Sequence, residues 1–324
     1  MTASPIAPSL KLSIVATMYN SARYVEEFCR RASAAAQPFA ASYEIILVND
    51  GSPDASLEIA TGLCRADAHL RVIDLSRNFG HHKAMMTGLA HAAGALVFLI
   101  DSDLEEDPGW LALFHDTLVR ERADVVYGVQ RRRKGSLLER AAGAMYYASL
   151  NAMLEHPLPR NVVTARLMTA RYVSHLVRHR DREVCIAALW VITGFAQVPV
   201  IVDKRSRDGS AYGFTARAAV MVNAVTSFSN RPLVLIFYLG CLIMASATLA
   251  GLVLFALVLS GHVGVAGWPS LIISVWFLGG VTIFCLGVIG IYLSKVFMET
   301  KDRPYSIVRA YYPESSGADG RFHD

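Results

Sequence analysis

From Pro232 to Ser294 the chain carries no Asp, Glu, Lys or Arg. A membrane crossing takes about 20 consecutive apolar residues, so a stretch of this length is enough for two. Gly261, His262, Gly264, Gly267 and Pro269 interrupt it and predict spans near residues 233–259 and 270–293. Ala247 and Gly251 add a small-residue pair of the kind that lets helices approach closely in lipid. The rest of the chain has an ordinary mixture of charges. The overall charged fraction of 18%, against about 25% for soluble domains, is therefore the average of two different materials. Such a composition excludes a disordered chain, a collagen-like chain and a small disulfide scaffold.

The flanks of the uncharged stretch orient it. Lys204, Arg205, Arg207, Arg217 and Arg231 precede it, and Lys295, Lys301, Arg303 and Arg309 follow it. The positive-inside rule then puts both termini on the cytoplasmic side of a cytoplasmic (inner) membrane, with two passes between them. The net charge of +4 is too mild to point to nucleic acid. Five scattered cysteines give neither zinc spacing nor a disulfide framework. Residues 1–11 lack the pattern of a signal peptide and read as a disordered lead-in.

Between residues 12 and 130, short runs rich in Val, Ile and Leu alternate with helical patterns. The runs are 12–18, 43–49, 71–76, 96–101 and 125–130, with helices at about 22–36, 55–66, 83–93 and 109–122. The apolar runs are continuous, which is the mark of strands covered on both faces. A βαβ series of this kind makes an open, mostly parallel α/β sheet, whose ligand site lies beyond the carboxyl ends of the strands. Farther on, 137–154 and 170–178 read as helices and 194–202 as a returning strand, while 214–228 has the spacing of a helix lying flat at an interface. The organisation expected is a lead-in at 1–11, a sheet domain at 12–212, an interfacial helix at 213–231, two transmembrane helices at 232–294 and a cytoplasmic tail at 295–324.

Three strand ends carry conspicuous polar residues: Thr17-Met18-Tyr19-Asn20, Asn49-Asp50-Gly51-Ser52 and Asp101-Ser102-Asp103. Asp101 and Asp103 flank one small residue at the end of an apolar run, with Glu105, Glu106 and Asp107 close behind. Alternate side chains of an extended segment point the same way, so the pair can share Mg²⁺ or Mn²⁺, hard cations that prefer oxygen ligands. The glycine-rich phosphate loops GxGxxG and GxxxxGK[ST] are absent, as is GxSxG.

Together these residues resemble the polyprenyl-phosphate glycosyltransferases of glycosyltransferase family 2, which have the GT-A fold. The likeness rests on Ser13-Ile14-Val15 to Tyr19-Asn20, Val48 to Ser52, Arg77-Asn78-Phe79-Gly80 and Asp101 to Leu104 with Pro108. It continues through the basic patch from Lys204 to Tyr212, Ser227-Phe228-Ser229 with Pro232-Leu233, and the two spans. The resemblance implies an inverting transfer of a sugar from a nucleotide-sugar donor, a UDP-sugar first, to a polyprenyl (undecaprenyl) phosphate, for cell-envelope glycans. It implies that Thr17, Tyr19, Asn20, Asp50, Ser52 and Asp101 hold the donor nucleotide. Asp101, Asp103 and Glu105 then hold Mg²⁺ or Mn²⁺, and Arg131, Arg205 and Arg207 clamp phosphate. Relatives of this kind also assemble as homo-oligomers, tetramers among them. Thr17 stands where the family usually has proline, and Glu105 where it often has Gln.

Such a reaction needs no general base, because a lipid monophosphate has its second pKa near 6 and is mostly a dianion at pH 7. It needs cations to bring two anions together and a metal to offset charge on the departing diphosphate. Two other readings compete: a non-catalytic membrane scaffold of the same fold, and a processive polysaccharide synthase. The latter's Gln-x-x-Arg-Trp signature is not completed at Gln130-Arg131-Arg132-Arg133-Lys134.

Overall fold

The computed structural model describes residues 11–39, 42–130, 159, 161–181, 184–204, 231–260 and 267–313. Arg131, Arg205 and Arg207, the helices expected at 137–154 and 214–228, and the lead-in up to residue 10 lie outside the described residues.

Five of the strands run where continuous apolar sequence put them: β1 (Lys11–Met18), β2 (Ser42–Asn49), β3 (Leu70–Leu75), β4 (Leu96–Leu99) and β5 (Val125–Gln130). The helices between them are α1 (Val25–Ala36), α2 (Ser56–Ala66), α3 (His81–Ala90) and α4 (Trp110–Glu121). The strand expected at 194–202 forms as β7 (Gln197–Val202), and the helix at 170–178 as α5 (Ala170–Leu176), joined to it through α6 (Ile186–Ile192), a helix of the same length. Two strands were not expected, β6 (Val162–Thr169) and β8 (Val308–Tyr312). The sheet order is β7-β5-β6-β4-β1-β2-β3-β8. The β3-β2-β1-β4 centre is parallel, and β6 is inserted antiparallel to both β4 and β5.

The strands are buried on both faces, as their composition requires. One face carries Leu12, Ile14, Leu47 and Phe98 against Phe28 of α1 and Phe114 of α4. The Phe98 and Phe114 rings meet edge to face at 6.0 Å, a favoured aromatic geometry. The other face is covered by α3 at very close range. A Cβ on Gly88 would lie 2.5 Å from a Val15 methyl and 2.9 Å from one of Val48, so only glycine lets this helix sit down on the strands. That approach delivers the amino end of α3 to the carboxyl rim of the sheet.

The second compact unit contains α7 (Arg231–Leu259) and α8 (Trp268–Thr300). Apolar side chains stand exposed along both: Leu242 is 67% exposed, Trp276 79% and Ile283 74%. Within α8, Ser274–Thr300 is long and apolar enough to cross a membrane by length and composition, with a mean hydropathy of 2.1. In α7 the apolar stretch Arg231–Ala247 is shorter and does not reach that length. The two crossings expected from the sequence thus stand as one full-length candidate among the described residues. The tail expected from residue 295 is also different: the charge of Lys295 does not end α8, which runs on to Thr300, and Val308–Tyr312 returns as β8 beside β3. Arg309 fixes that return by pairing with the buried Asp74 at 3.1 Å.

Candidate active site

Register brings the three polar strand ends together. Thr17 pairs with Val48 and Met18 with Asn49, while Val15 pairs with Leu99, so Asp101 emerges level with Thr17. Ser102 ties the rim down by donating its hydroxyl to the Thr17 carbonyl at 2.7 Å. Just beyond, Leu104 is held at φ +60°, a left-handed conformation unusual for a residue of its size. The acidic turn is therefore bent by its surroundings.

Asp101 is the centre of this turn. Its Oδ2 accepts a hydrogen bond from the Thr164 hydroxyl at 2.8 Å. Its Oδ1 is buried and has no hydrogen-bond partner, although His81 Nε2 stands at ion-pair distance, 3.3 Å. The other ring nitrogen of His81 lies 3.0 Å from the Thr17 hydroxyl. Burial pushes the Asp101 carboxyl up, but His81 and the Thr164 hydroxyl outweigh it and hold Asp101 below its ordinary value. His81 is raised in return: burial alone would lower it, and Asp101 more than offsets that.

Asp103 accepts from the Glu105 amide at 3.0 Å and is raised, first by burial and then by Asp101 and Glu105 nearby. Glu106 is buried behind it. Its Oε1 accepts from the Thr164 amide at 2.9 Å and from Lys204 Nζ at 3.4 Å, while Oε2 has no partner. Burial, followed by repulsion from Asp101, pushes Glu106 up to about 7. Lys204 Nζ also lies 3.3 Å from Glu105 Oε2. Burial would lower the lysine, but Glu106, Asp101, Glu105 and Asp103 together raise it. Several carboxylates around one ammonium leave the turn short of positive charge.

Glu105, expected as a third metal ligand, stands beside Lys204 at 3.3 Å. Among the described residues no three His, Cys, Asp or Glu side chains close into a metal cluster. A divalent cation of the magnesium type needs no such cage, since one or two carboxylates with substrate phosphate oxygens and water suffice. The unpartnered, buried Oδ1 of Asp101 beside Asp103 suits that mode of binding.

Asp50, expected to help hold the nucleotide, is engaged within the protein. Its two oxygens accept the backbone amides of Phe79 at 2.7 Å and Gly80 at 3.0 Å, so it shapes the loop that leads into α3 and positions His81. Burial raises the Asp50 carboxyl on balance against those bonds. The contact is close enough that a Cβ on Gly51, at φ +64°, would lie 2.5 Å from the Asn78 nitrogen. Ser52 donates its hydroxyl to the Met18 carbonyl. Tyr19 is 50% exposed at the rim, and Asn20 beside it is exposed at φ +53°; both are open to a ligand. His81, Thr164, Glu106 and Lys204 were not anticipated. Histidine at 81 was visible in the loop before α3, but nothing in its neighbourhood linked it to Asp101.

A mostly parallel sheet with an acidic carboxyl rim marks an α/β domain that takes its ligand at that rim, and comparison with known proteins gives its family. The glycosyl transferase family 2 model matches residues 13–177. The chain belongs to glycosyltransferase family 2. A Mycobacterium tuberculosis protein grouped with glycosyltransferases is 54% identical over 304 residues, 94% of this chain and 89% of its own. The undecaprenyl-phosphate 4-deoxy-4-formamido-L-arabinose transferase of Salmonella enteritidis is 28% identical over 320 residues, 96% of each chain. Among solved structures, mannosyl-3-phosphoglycerate synthase from Rubrobacter xylanophilus is similar with a TM-score of 0.46 at 19% identity, covering 67% of this chain and 73% of that one.

Proposed function

We propose that this glycosyltransferase moves a sugar from a UDP-sugar to a polyprenyl phosphate, undecaprenyl phosphate first, at the cytoplasmic face of the inner membrane, with inversion at the sugar carbon. The observation that carries the reading is the acidic turn at the sheet's carboxyl rim, where buried Asp101 keeps an oxygen without a hydrogen bond among the described residues. The acceptor class is supported by the exposed apolar helices α7 and α8 and by the Salmonella transferase, whose likeness extends over nearly the whole chain.

Asp101 and Asp103 would hold Mg²⁺ or Mn²⁺ together with the donor diphosphate. The ion supplies positive charge where the departing nucleotide becomes more negative. Thr164 and His81 fix the Asp101 carboxylate, and the exposed Tyr19 and Asn20 are placed to meet the nucleotide. Lys204 keeps Glu105 and Glu106 from repelling the donor. The lipid phosphate arrives already ionised, so no residue of the rim has to take a proton. Arg131, Arg205 and Arg207 complete the clamp, and both crossings, α7 and α8, leave the sheet domain in the cytosol.

The test is direct. Purified protein is incubated with undecaprenyl phosphate, a panel of nucleotide sugars and Mg²⁺ or Mn²⁺, and the lipids are weighed by mass spectrometry. A glycosylated lipid phosphate is expected. Release of free sugar from the donor, with no lipid product from any member of the panel, would overturn the reading.

A further inference from the structure

One face of β6 serves two places. Side chains two apart on a strand share a face, so Thr164, which holds Asp101, and Arg166 point the same way, about 7 Å apart along the strand. Arg166 is only 1% exposed. Its Nε donates to the Thr164 carbonyl at 3.3 Å, and neither Nη makes a hydrogen bond among the described residues. Its guanidinium lies over the Trp190 ring and within 5.9 Å of the Tyr127 ring centre. Among the described residues no carboxylate is within ion-pair distance of it; Glu106 acts on it only from farther away.

A buried guanidinium without a counter-charge is costly, so the arrangement asks for an anion. The surroundings offer one a place. A cavity of about 40 Å³, walled mainly by apolar side chains such as Pro159, Val162, Ala187 and Val191, has Arg166 and Trp190 in its lining and room for about three water-sized oxygens. A second donor is idle there: Trp190 Nε1 is buried without a hydrogen-bond partner among the described residues. The Nε2 of Gln197, by contrast, donates to both the Trp190 and Gly194 carbonyls, and so holds α6 in place as a wall. Burial pulls Arg166 down to about 9, with Tyr172, Glu106 and Tyr127 opposing it, so the group stays cationic at neutral pH.

We infer that this cavity is a phosphate subsite, in which the Arg166 guanidinium and the Trp190 indole N–H receive the oxygens of the acceptor's phosphate monoester. The inference rests on the acceptor reading above. A planar guanidinium with free Nη groups matches two phosphate oxygens at once, and the indole supplies a third contact. Thr164 links the subsite to the donor carboxylate through one strand, so acceptor and donor phosphates are gathered by neighbouring positions of β6.

The test titrates the full-length wild type, Arg166→Gln and Trp190→Phe with three probes: citronellyl phosphate, inorganic phosphate and UDP. Trp190→Phe keeps an aromatic ring beneath the guanidinium while removing the indole donor. Both monophosphates are expected to bind the wild type, about tenfold or more weakly to Arg166→Gln and about threefold more weakly to Trp190→Phe. UDP binding should not change, which also shows that the variants are folded. In turnover the KM for lipid phosphate should rise in both, with the KM for the nucleotide sugar constant. Unchanged monophosphate affinity in folded Arg166→Gln overturns the inference, as does a fall in kcat with no change in the lipid-phosphate KM. If Arg166→Gln does not fold, unchanged monophosphate affinity in Trp190→Phe overturns the indole contact and with it the subsite as stated. Binding of inorganic phosphate but not citronellyl phosphate, both judged on Trp190→Phe and Arg166→Gln, contradicts the assignment to the acceptor. A wild type that makes no lipid product yet keeps Arg166-dependent monophosphate binding loses the proposed function and retains the subsite.

Discussion

Glu44 and Asp101 are carboxylates at opposite rims of the same sheet, and they are treated in opposite ways. Glu44 stands across from Ser13 near the amino ends of β2 and β1. Its Oε1 accepts from the Ser13 hydroxyl at 2.6 Å and the Ala93 amide at 2.9 Å, and its Oε2 from Arg71 at 3.0 Å. Burial raises it, those donors outweigh burial, and Glu44 ends below its ordinary value. At the carboxyl rim, Asp101 and Glu106 each keep one buried oxygen without a hydrogen bond among the described residues, that of Asp101 standing 3.3 Å from His81 Nε2. Folded proteins rarely leave such atoms unmatched. Where the sheet saturates its carboxylates it is building the fold, and where it leaves them open it is waiting for something to bind.

Substitutions can break this contrast at either rim. The largest effect is expected at Asp101→Asn, which keeps the shape but removes the charge that a cation and donor diphosphate need. Transfer should fall by about a thousandfold, equivalent to several kcal/mol of lost stabilisation, in an enzyme that still binds detergent or lipid normally. Turnover assays at saturating metal measure it. Thr164→Val leaves Asp101 in place but frees its Oδ2. Loss of a residue that orients a ligand commonly costs about ten- to a hundredfold in metal affinity or activity, so the metal concentration for half-maximal rate should rise in that range.

At the closed rim the effect should move from activity to stability. Glu44→Gln is expected to lose about 2 kcal/mol at pH 7, the scale of hydrogen bonds to a buried charge, with turnover per folded molecule unchanged. Because the folded carboxyl is held below its unfolded value, its stabilising contribution is present above the unfolded pKa and disappears as pH falls through the folded one. Denaturation midpoints of wild type and Glu44→Gln should therefore differ most at neutral pH and converge below about pH 4. The smallest effect is expected for Arg309→Ala. The arginine side chain is 55% exposed and screened by solvent, while its partner Asp74 is only 2% exposed but keeps the Asn49 amide as a donor, so chemical denaturation should show a loss of about 1 kcal/mol.

The sequence revealed the open rim in outline and missed how it is braced. Asp101 and Asp103 were legible because they end a continuous apolar run, and α/β sheets bind ligands beyond strand ends. Thr164, Arg166 and Lys204 were not. They enter from β6 and from just after β7, far along the chain, and β6 mixes Thr164 and Arg166 into a run whose centre would otherwise read as a buried strand. Arg166 in particular breaks the apolar pattern because it is used where hydrophobic residues are expected. β8 escaped notice for another reason: its five residues follow directly on a long apolar helix and alternate half-buried with exposed positions, as an edge strand does. Glu105 was named as a ligand through the family resemblance, which does not show that a lysine from residue 204 stands beside it.

The most direct test measures transfer from a UDP-sugar to undecaprenyl phosphate for wild type, Asp101→Asn and Glu44→Gln in one experiment, normalised to folded protein. Full activity in Glu44→Gln with loss of about three orders of magnitude in Asp101→Asn is the predicted result. Wild-type turnover by folded Asp101→Asn would contradict the account.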